Sequence, residues 1–270
     1  MKRLKRVKLM ALLALFVLTL AGCAGQGAPG GDDASLQKIL DAGQFVLGLD
    51  ANYPPMGFTD ESGEITGFDI DVAREVCARL GVALVTRPID WDLKEEELNN
   101  GLIDCIWNGM SVTPSRAEAM ALSEPYLKNE LIFVVTGDSG AKTMRDLAGG
   151  TVGVQSGSST EEVIKASAIY PEITVVARGD NLTLLELLRD GTLDAVLLDS
   201  VAAYYYISGR EEPYFVLPDI LSEEDLAIGF RKEDRTLRDR VQELMRAMKS
   251  DGTLGAIAKK WFGSDITTIK

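Results

Sequence analysis

The amino-acid sequence predicts an α/β protein with two lobes, and two observations support this prediction. From residue 44 onward, short apolar runs that are typical of buried strands alternate with segments whose apolar residues recur at helical spacing. The alternation begins again after residue 131, which indicates a second lobe. Because strand–helix alternation is typical of parallel sheets, we expect parallel strands in both lobes.

The first lobe opens with a strand and a helix that the residue pattern defines well. Residues 44–49, QFVLGL, form a continuous apolar run. Residues 69–80 place isoleucine, valine, cysteine and leucine at helical spacing, and Gly81 ends this helix. The other elements predicted in this part are strands at 82–86 and 103–107 and a helix at 94–100.

The second part of the chain repeats the same alternation. Four strands are predicted, at 131–135, 151–154, 174–177 and 195–198. Each of these strands is followed by a predicted helix, and these helices are at 144–147, from Thr160 onward, at 182–189 and at 201–207. The chain then continues with a strand at 226–230 and with helices at 235–249 and 255–260.

The first 34 residues are expected to be a targeting segment and a tether. An apolar run at 9–20, too short to span a bilayer, follows five basic residues: Lys2, Arg3, Lys5, Arg6 and Lys8. LAGC at 20–23 resembles a bacterial lipobox, so we expect 1–22 to be a lipoprotein signal peptide and Cys23 to carry lipid. The alternative is an ordinary signal peptide that ends near a cysteine. Residues 23–34 are rich in Gly and small residues and predict a flexible tether.

Composition excludes several classes of function. Without the five basic residues of the leader, the chain has 23 Lys and Arg against 41 Asp and Glu, which argues against a nucleic-acid partner. The sequence contains no histidine, which excludes Ser-His-Asp and Cys-His catalysis and HExxH zinc sites. Since no cysteine pair has metal-ligand spacing either, we expect no metal ion and no organic cofactor.

Two cysteines follow Cys23, and their surroundings favour free thiols. Cys77 lies in a helical pattern and Cys105 in a strand pattern, so we expect both to be buried and unpaired. A disulfide between them is the alternative, because two thiols in an exported protein can pair.

Six segments, in order along the chain, resemble the motifs of family-three bacterial extracellular solute-binding proteins, which bind polar amino acids. The signature-like segment is GFDIDVAREVCARL at 67–80. The others are DANYPPMGF at 50–58, SVTPSR at 111–116 with SEPY at 123–126, VQSGSS at 154–159, DAVLLD at 194–199 and DGTLGAIAKKWFG at 251–263. The likeness extends over about 35–270. It implies a type II-like periplasmic-binding-protein fold, with a ligand cleft between two lobes and two hinge crossings.

The resemblance also implies how the chain is divided. Lobe 1 would comprise 35–125 plus 227–270, and lobe 2 would comprise 131–223. The segments 126–130 and 224–226 would cross between the lobes and act as a hinge. Proteins of this kind close about such a hinge and bury the ligand.

A free amino acid carries a carboxylate, for which the resemblance implies a set of partners. Arg116 can bind a carboxylate through two parallel hydrogen bonds, and Ser111 belongs to the same carboxylate-binding segment. Ser158 and Ser159 open a predicted helix, where unpaired backbone N–H groups attract anions. Without this context, Arg116 would be interpreted as a solvated surface charge and the serines as ordinary helix caps.

The ammonium and the side chain of the ligand need different partners. Asp199 ends an apolar strand, where its carboxylate and the Gly109 carbonyl can accept hydrogen bonds from an ammonium. Tyr53 and Trp91 would form aromatic walls around the side chain, although most aromatic residues are simply core residues. Asp50 could accept a hydrogen bond from an amide, ammonium or guanidinium at the far end of the ligand.

The chain departs from the family pattern at two positions. Some relatives have a second cysteine seven residues after the equivalent of Cys77, whereas this chain has Leu84. Some glutamine-binding relatives have a lysine where this chain has Gln155, so the identity of the amino acid stays open between glutamine, the arginine, lysine and histidine group, and cystine.

These observations predict an extracytoplasmic, lipid-anchored monomer that captures a polar amino acid and delivers it to an ABC transporter permease. It would lie on the outer face of the cytoplasmic membrane in a Gram-positive cell, or on the periplasmic side otherwise. The alternative is a cyclohexadienyl dehydratase-like enzyme on the same fold, which turnover of prephenate or arogenate would distinguish. A receptor sensor domain would require a transmembrane helix and a cytoplasmic output domain, and we expect neither.

Overall fold

The computed structural model describes residues 33–208 and 214–270. Cys23, the segment 1–22 and most of the segment 23–34 lie outside the described residues. Within the described ranges, no helix is both long enough and apolar enough to cross a membrane.

Thirteen strands and nine helices are described in these two ranges. The strands are β1 (Gln44–Leu49), β2 (Asn52–Tyr53), β3 (Gly57–Thr59), β4 (Ile65–Thr66), β5 (Ala83–Pro88), β6 (Cys105–Ile106), β7 (Met120–Leu122), β8 (Leu127–Thr136), β9 (Thr151–Gln155), β10 (Thr174–Arg178), β11 (Ala195–Asp199), β12 (Tyr214–Leu226) and β13 (Gly229–Arg231). The helices are α1 (Ser35–Ala42), α2 (Phe68–Leu80), α3 (Lys94–Asn99), α4 (Pro114–Ala119), α5 (Ser159–Ala166), α6 (Asn181–Arg189), α7 (Ser200–Ile207), α8 (Arg235–Ser250) and α9 (Thr253–Phe262).

Two five-stranded sheets form the centres of the two lobes. The first has the strand order β5-β1-β6-β13-β7, and the second has the order β10-β9-β11-β8-β12. Both sheets are covered by helices, which confirms the α/β class predicted from the alternating pattern.

The expectation of parallel sheets is correct only in part, because both sheets are mixed. In the first sheet, β1 is parallel to β5 and β6, but β13 is antiparallel to β6 and β7. In the second, β9 is parallel to β10 and β11, but β8 is antiparallel to β11 and β12. In the second sheet, β8 and β12 are antiparallel because the chain enters the lobe along one of them and leaves it along the other.

The predicted strand at 226–230 is wrong as a single element. β12 ends at Leu226, and β13 of the other sheet begins at Gly229. Between them, Ala227 N donates to the Met110 carbonyl and Ile228 N donates to Ser123 Oγ. The apolar run is therefore continuous in sequence but changes sheets in space. The predicted helix at 144–147 is a 3₁₀ turn, and other predicted elements begin and end within a few residues of the observed ones.

The two long strands β8 and β12 pair with each other where the chain passes between the sheets. Leu127 pairs with Leu226, Lys128 with Asp225, and Asn129 with Glu224. The sequence predicted a crossing here but not the 13-residue strand β12, whose Pro218 and acidic residues interrupt any apolar alternation.

A small third sheet holds the segment 50–59 against the first lobe. β3 is antiparallel to both β2 and β4. The N-terminus of α2 fixes the loop between β2 and β3, because Phe68 N donates to the Pro55 carbonyl at 2.7 Å and Asp69 N donates to the Met56 carbonyl at 2.9 Å. The signature-like segment thus positions the loop that carries Tyr53.

The two remaining cysteines are both buried and unpaired. Burial raises the pKa of the Cys77 thiol to about 12, so this sulfur stays protonated at neutral pH.

Gly67 should be essential for this arrangement. Its φ of 140° lies in a region that only glycine adopts readily, and an added Cβ would lie 2.3 Å from the Met56 carbonyl oxygen. Gly67→Ala should therefore lower the free energy of unfolding by about 3 kcal/mol or more in urea titrations. Gly63→Ala is the matched control, because Gly63 also has a positive φ but open space around it, and it should cost about 1–2 kcal/mol. Equal losses in the two variants would contradict the role of the Met56 contact.

Candidate functional site

A small, mostly polar cavity of about 20 Å³ lies between the two sheets. Its lining contains all nine ligand-binding residues predicted from the sequence, together with Asn108 and Gln155, which were not in that set. The lining residues are Asp50, Tyr53, Trp91, Asn108, Gly109, Ser111, Arg116, Gln155, Ser158, Ser159 and Asp199.

The strand ends of both sheets position most of these side chains. Asp50 follows β1, Asn108 follows β6, Gln155 ends β9 and Asp199 ends β11. In open α/β sheets, ligands bind beside the carboxyl ends of the strands, and these four polar residues occupy that edge in the two lobes.

Two buried cations, one that lines the cavity and one that lies behind its wall, belong to the first lobe. Arg116 is 5% exposed, lies in α4 and donates from Nη1 to the Ser111 carbonyl at 2.8 Å. Lys94, which the sequence gave no reason to select, is also buried and donates from Nζ to the Trp91 carbonyl at 3.1 Å and the Gly157 carbonyl at 2.9 Å. Burial, with a contribution from the Arg116 charge, lowers the pKa of Lys94 to about 8.

The N-terminus of α5 faces the same cavity. Ser158 is its N-cap, and Ser158 Oγ accepts a hydrogen bond from Glu161 N. Ser159 Oγ lies 3.0 Å from Ser111 Oγ, which belongs to the other lobe. The first turn of this helix therefore has one serine that caps the helix and one whose hydroxyl is directed across the cavity.

An anionic group forms around Asp199. Tyr53 Oη donates to Asp199 Oδ2 at 2.5 Å, and Asn129 Nδ2 donates to the other carboxylate oxygen. Withdrawal from bulk water, followed by the negative charge of Glu224, raises the pKa of Asp199 to about 7.

Glu224 is a second carboxylate near Asp199 and was not selected as a site residue from the sequence. It is half-buried on β12, and its Oε2 accepts hydrogen bonds from Ser111 Oγ at 2.7 Å and Ser159 Oγ at 3.2 Å. Asn129 Nδ2 lies 3.4 Å from the same oxygen. The local sequence SEED resembles an exposed acidic turn, so only the fold reveals this position.

Asp50 forms a separate polar group with neighbours from both lobes. Its Oδ2 accepts from Gln155 Nε2 at 2.7 Å, and its Oδ1 accepts from Asn52 N at 2.8 Å. Asn108 Oδ1 accepts from Asp50 N at 3.1 Å, while the buried Nδ2 of Asn108 has no partner among the described residues. Burial is the main cause that raises the pKa of Asp50, and the nearby negative charge of Asp180 adds to it.

Tyr53, Trp91 and Gly109 complete the lining. Tyr53 and Trp91 are both buried, and the Lys94 ammonium lies 5.3 Å from the centroid of the Trp91 ring. Gly109 N donates to Asp69 Oδ2 at 2.7 Å, so the buried Asp69 holds the backbone of this turn in place.

The two lobes contact each other directly around the cavity. Asp50 with Gln155, Tyr53 with Asp199 and Ser111 with Ser159 each join one residue from either lobe. A cavity that is lined by a buried guanidinium and by carboxylates from both lobes offers opposite charges to the two charged groups of a small zwitterion.

The comparisons with known proteins identify the family. The family model for bacterial extracellular solute-binding proteins, family 3, matches residues 45–264. This chain belongs to that family. Among curated relatives, the L-cystine-binding protein TcyJ of Escherichia coli (strain K12) is 31% identical over 238 residues, which cover 87% of this chain and 89% of that protein.

Solved structures of this family resemble the chain closely. A crystal structure of Tv2483 bound to L-arginine has a TM-score of 0.85 at 30% identity, covering 88% of this chain and 98% of that one. A substrate-binding protein of an ABC uptake transporter from Streptococcus pneumoniae, with bound histidine, has a TM-score of 0.83 at 37% identity, covering 88% and 99%. An ancestral amino-acid-binding protein, described as a precursor of cyclohexadienyl dehydratase, has a TM-score of 0.79 at 31% identity, covering 84% and 99%.

Proposed function

We propose that this protein captures a polar amino acid outside the cytoplasmic membrane and delivers it to the permease of an ABC importer. The observation that carries the proposal is the placement of Arg116 and Asp199 at one cavity, on opposite lobes. The relatives that bind cystine, arginine or histidine support the same class of ligand.

The main-chain groups of the ligand would bridge the lobes. The carboxylate would receive two parallel hydrogen bonds from the Arg116 guanidinium and further ones from backbone N–H groups at Ser159. The ammonium would donate to Asp199, to Ser111 Oγ and to the Gly109 carbonyl. In this arrangement each ligand charge meets an opposite charge of the protein as it leaves water.

A count of charges favours a basic amino acid. Among the residues that line the cavity, the Arg116 cation is accompanied by two carboxylates, those of Asp50 and Asp199, so one negative charge is in excess when all are ionised. A neutral zwitterion leaves that excess, whereas an amino acid with a cationic side chain removes it. We infer that arginine, lysine or protonated histidine binds with its side chain directed toward Asp50, between Tyr53 and Trp91.

We propose that the two lobes predicted from the sequence move as units about the predicted hinge. Lobe 1 is 35–125 plus 227–270, lobe 2 is 131–223, and the hinge comprises 126–130 and 224–226. The pairing of β8 with β12 at this point supports the proposal, because two adjacent strands can bend together while both sheets stay intact.

We also propose that the protein acts as a monomer anchored through lipid on Cys23. The basic, apolar and LAGC segments of the leader support the anchor. The 12 residues from Cys23 to Ala34 would then separate the folded part from the membrane surface. We propose binding rather than catalysis. Arg116 and Asp199 would each pair with one charged main-chain group of the ligand, and no residue of the cavity is assigned as a catalytic acid or base.

Loss of either main-chain partner should abolish tight binding. Arg116→Ala removes the cation that pairs with the ligand carboxylate, and Asp199→Asn removes a carboxylate that pairs with the ligand ammonium. Loss of one partner of a buried charge pair costs on the order of 2–5 kcal/mol, or roughly 30- to 5,000-fold in affinity. Calorimetry with the best ligand from a thermal-shift screen of amino acids measures this. Small-angle scattering on the same samples should show a ligand-induced decrease in radius of gyration for the wild type alone. Near-wild-type affinity in either variant would contradict the assignment of the main-chain groups.

Asp50→Asn should change selectivity rather than abolish binding. The amide keeps the shape of the side chain but removes the charge, so affinity for arginine or lysine should fall on the order of 10- to 100-fold, while that for glutamine should change by less than about threefold. Asp138→Asn, at an exposed aspartate of the second lobe, is the control and should leave both unchanged. A uniform loss for all ligands would show that Asp50 does not face the ligand side chain.

Cys23→Ser should block lipidation in cells. The substituted protein should lose incorporation of labelled palmitate and leave the membrane fraction, whereas Ala24→Ser should retain both. Continued labelling of the Cys23→Ser protein would contradict the proposed anchor.

A further inference from the structure

Glu224 occupies a position that connects both lobes with the hinge. It lies on the hinge strand β12 and accepts hydrogen bonds from Ser111 of the first lobe and Ser159 of the second. Asn129, its register partner on the other hinge strand β8, lies at hydrogen-bond distance from the same carboxylate oxygen and also donates to Asp199.

The chemistry of these groups fixes the direction of the hydrogen bonds. An ionised carboxylate only accepts, so Ser111 must donate its one hydroxyl hydrogen to Glu224, at 2.7 Å. Ser159 then shares its hydrogen between Ser111 Oγ, at 3.0 Å, and Glu224, at 3.2 Å. Ser111 Oγ retains one lone pair without a donor in this set, and because Ser111 lines the cavity, this lone pair is available to a group bound there.

We propose that Glu224 is a positioning residue of the ligand site, which turns the Ser111 hydroxyl into an acceptor for the ligand ammonium and supplies the second negative charge beside that ammonium. This inference rests on the proposed function, because it assumes an amino acid in the cavity. Without Glu224, the Ser111 hydroxyl could donate toward the cavity and would repel an ammonium.

The negative charge of Glu224 should also affect the release of protons when the ligand binds. Together with desolvation, Glu224 raises the pKa of Asp199 to about 7, and a bound ammonium would favour the ionised carboxylate. Binding near pH 7 should then release protons, and affinity should fall as the pH drops below 7. The groups that face Asp199 from neighbouring elements are Tyr53 on β2, Arg116 on α4, Asn129 on β8 and Glu224 on β12.

The test compares Glu224→Gln with Glu223→Gln, which removes an exposed carboxylate from the adjacent position of the same strand. Calorimetry at pH 7 in phosphate and in Tris measures affinity and, from the buffer dependence of the enthalpy, the number of protons released. Glu224→Gln should weaken binding on the order of 10- to 100-fold and release fewer protons, since the pKa of Asp199 should fall toward its ordinary value. Glu223→Gln should match the wild type in both respects.

Ser111→Ala separates the effect of the Ser111 hydroxyl from that of the Glu224 charge, and it is the second variant to measure if Glu224→Gln does not fold. It should weaken binding while leaving proton release unchanged, and adding Glu224→Gln to it should cost less than Glu224→Gln costs alone. The inference is overturned if Glu224→Gln binds like the wild type, or if its loss of affinity comes with unchanged proton release and full additivity with Ser111→Ala. Failure of the wild type to bind any amino acid would overturn the proposed function and this inference together, which is a distinguishable result.

Discussion

The rest of the structure depends on the need to neutralise two opposite charges held at one cavity. Arg116 is almost fully buried, and Asp199 is withdrawn from bulk water. An unpaired charge in such surroundings costs several kcal/mol. In the structure, Arg116 donates to main-chain carbonyls and Asp199 accepts from the hydroxyl of Tyr53 and an amide, so neutral partners solvate both charges without cancelling them. A zwitterion of the kind proposed above would cancel both charges at once.

Buried residues of the first lobe hold the backbone around the cavity in place. Asp69, in the signature-like helix α2, is fully buried, and its Oδ2 accepts from Gly109 N at 2.7 Å and from Tyr126 Oη at 3.0 Å. One carboxylate therefore ties the turn that lines the cavity to the residue that precedes the hinge strand β8. Gly67 lies two residues earlier, as the N-cap of α2, and allows the same helix to hold the loop that carries Tyr53.

The local pattern of the sequence predicted the α/β lobes, because strands and helix starts are local features. The nine predicted residues that line the cavity were selected through the resemblance to the family's motifs. The sequence-based prediction missed Lys94, Asn108 and Glu224 as contributors, since nothing local distinguishes them from surface or loop residues. It also missed β12, where burial alternates irregularly and pairing with β8 stabilises a strand that the residues alone do not favour. Pairing with a strand that is distant in sequence therefore stabilises β12, which the local residue pattern does not predict.

The same pairing places the proposed hinge beside the proposed ligand site. Asn129 and Glu224 face each other across β8 and β12, and both contact the group of side chains around Asp199. Bending of these strands on opening would separate Glu224 from Ser111 or from Ser159, because the two serines belong to different lobes. Under the proposed closure, the complete set of acceptors for an ammonium would then exist only in the closed arrangement. An amino acid would therefore stabilise closure through its ammonium, at the point where the two lobes are joined.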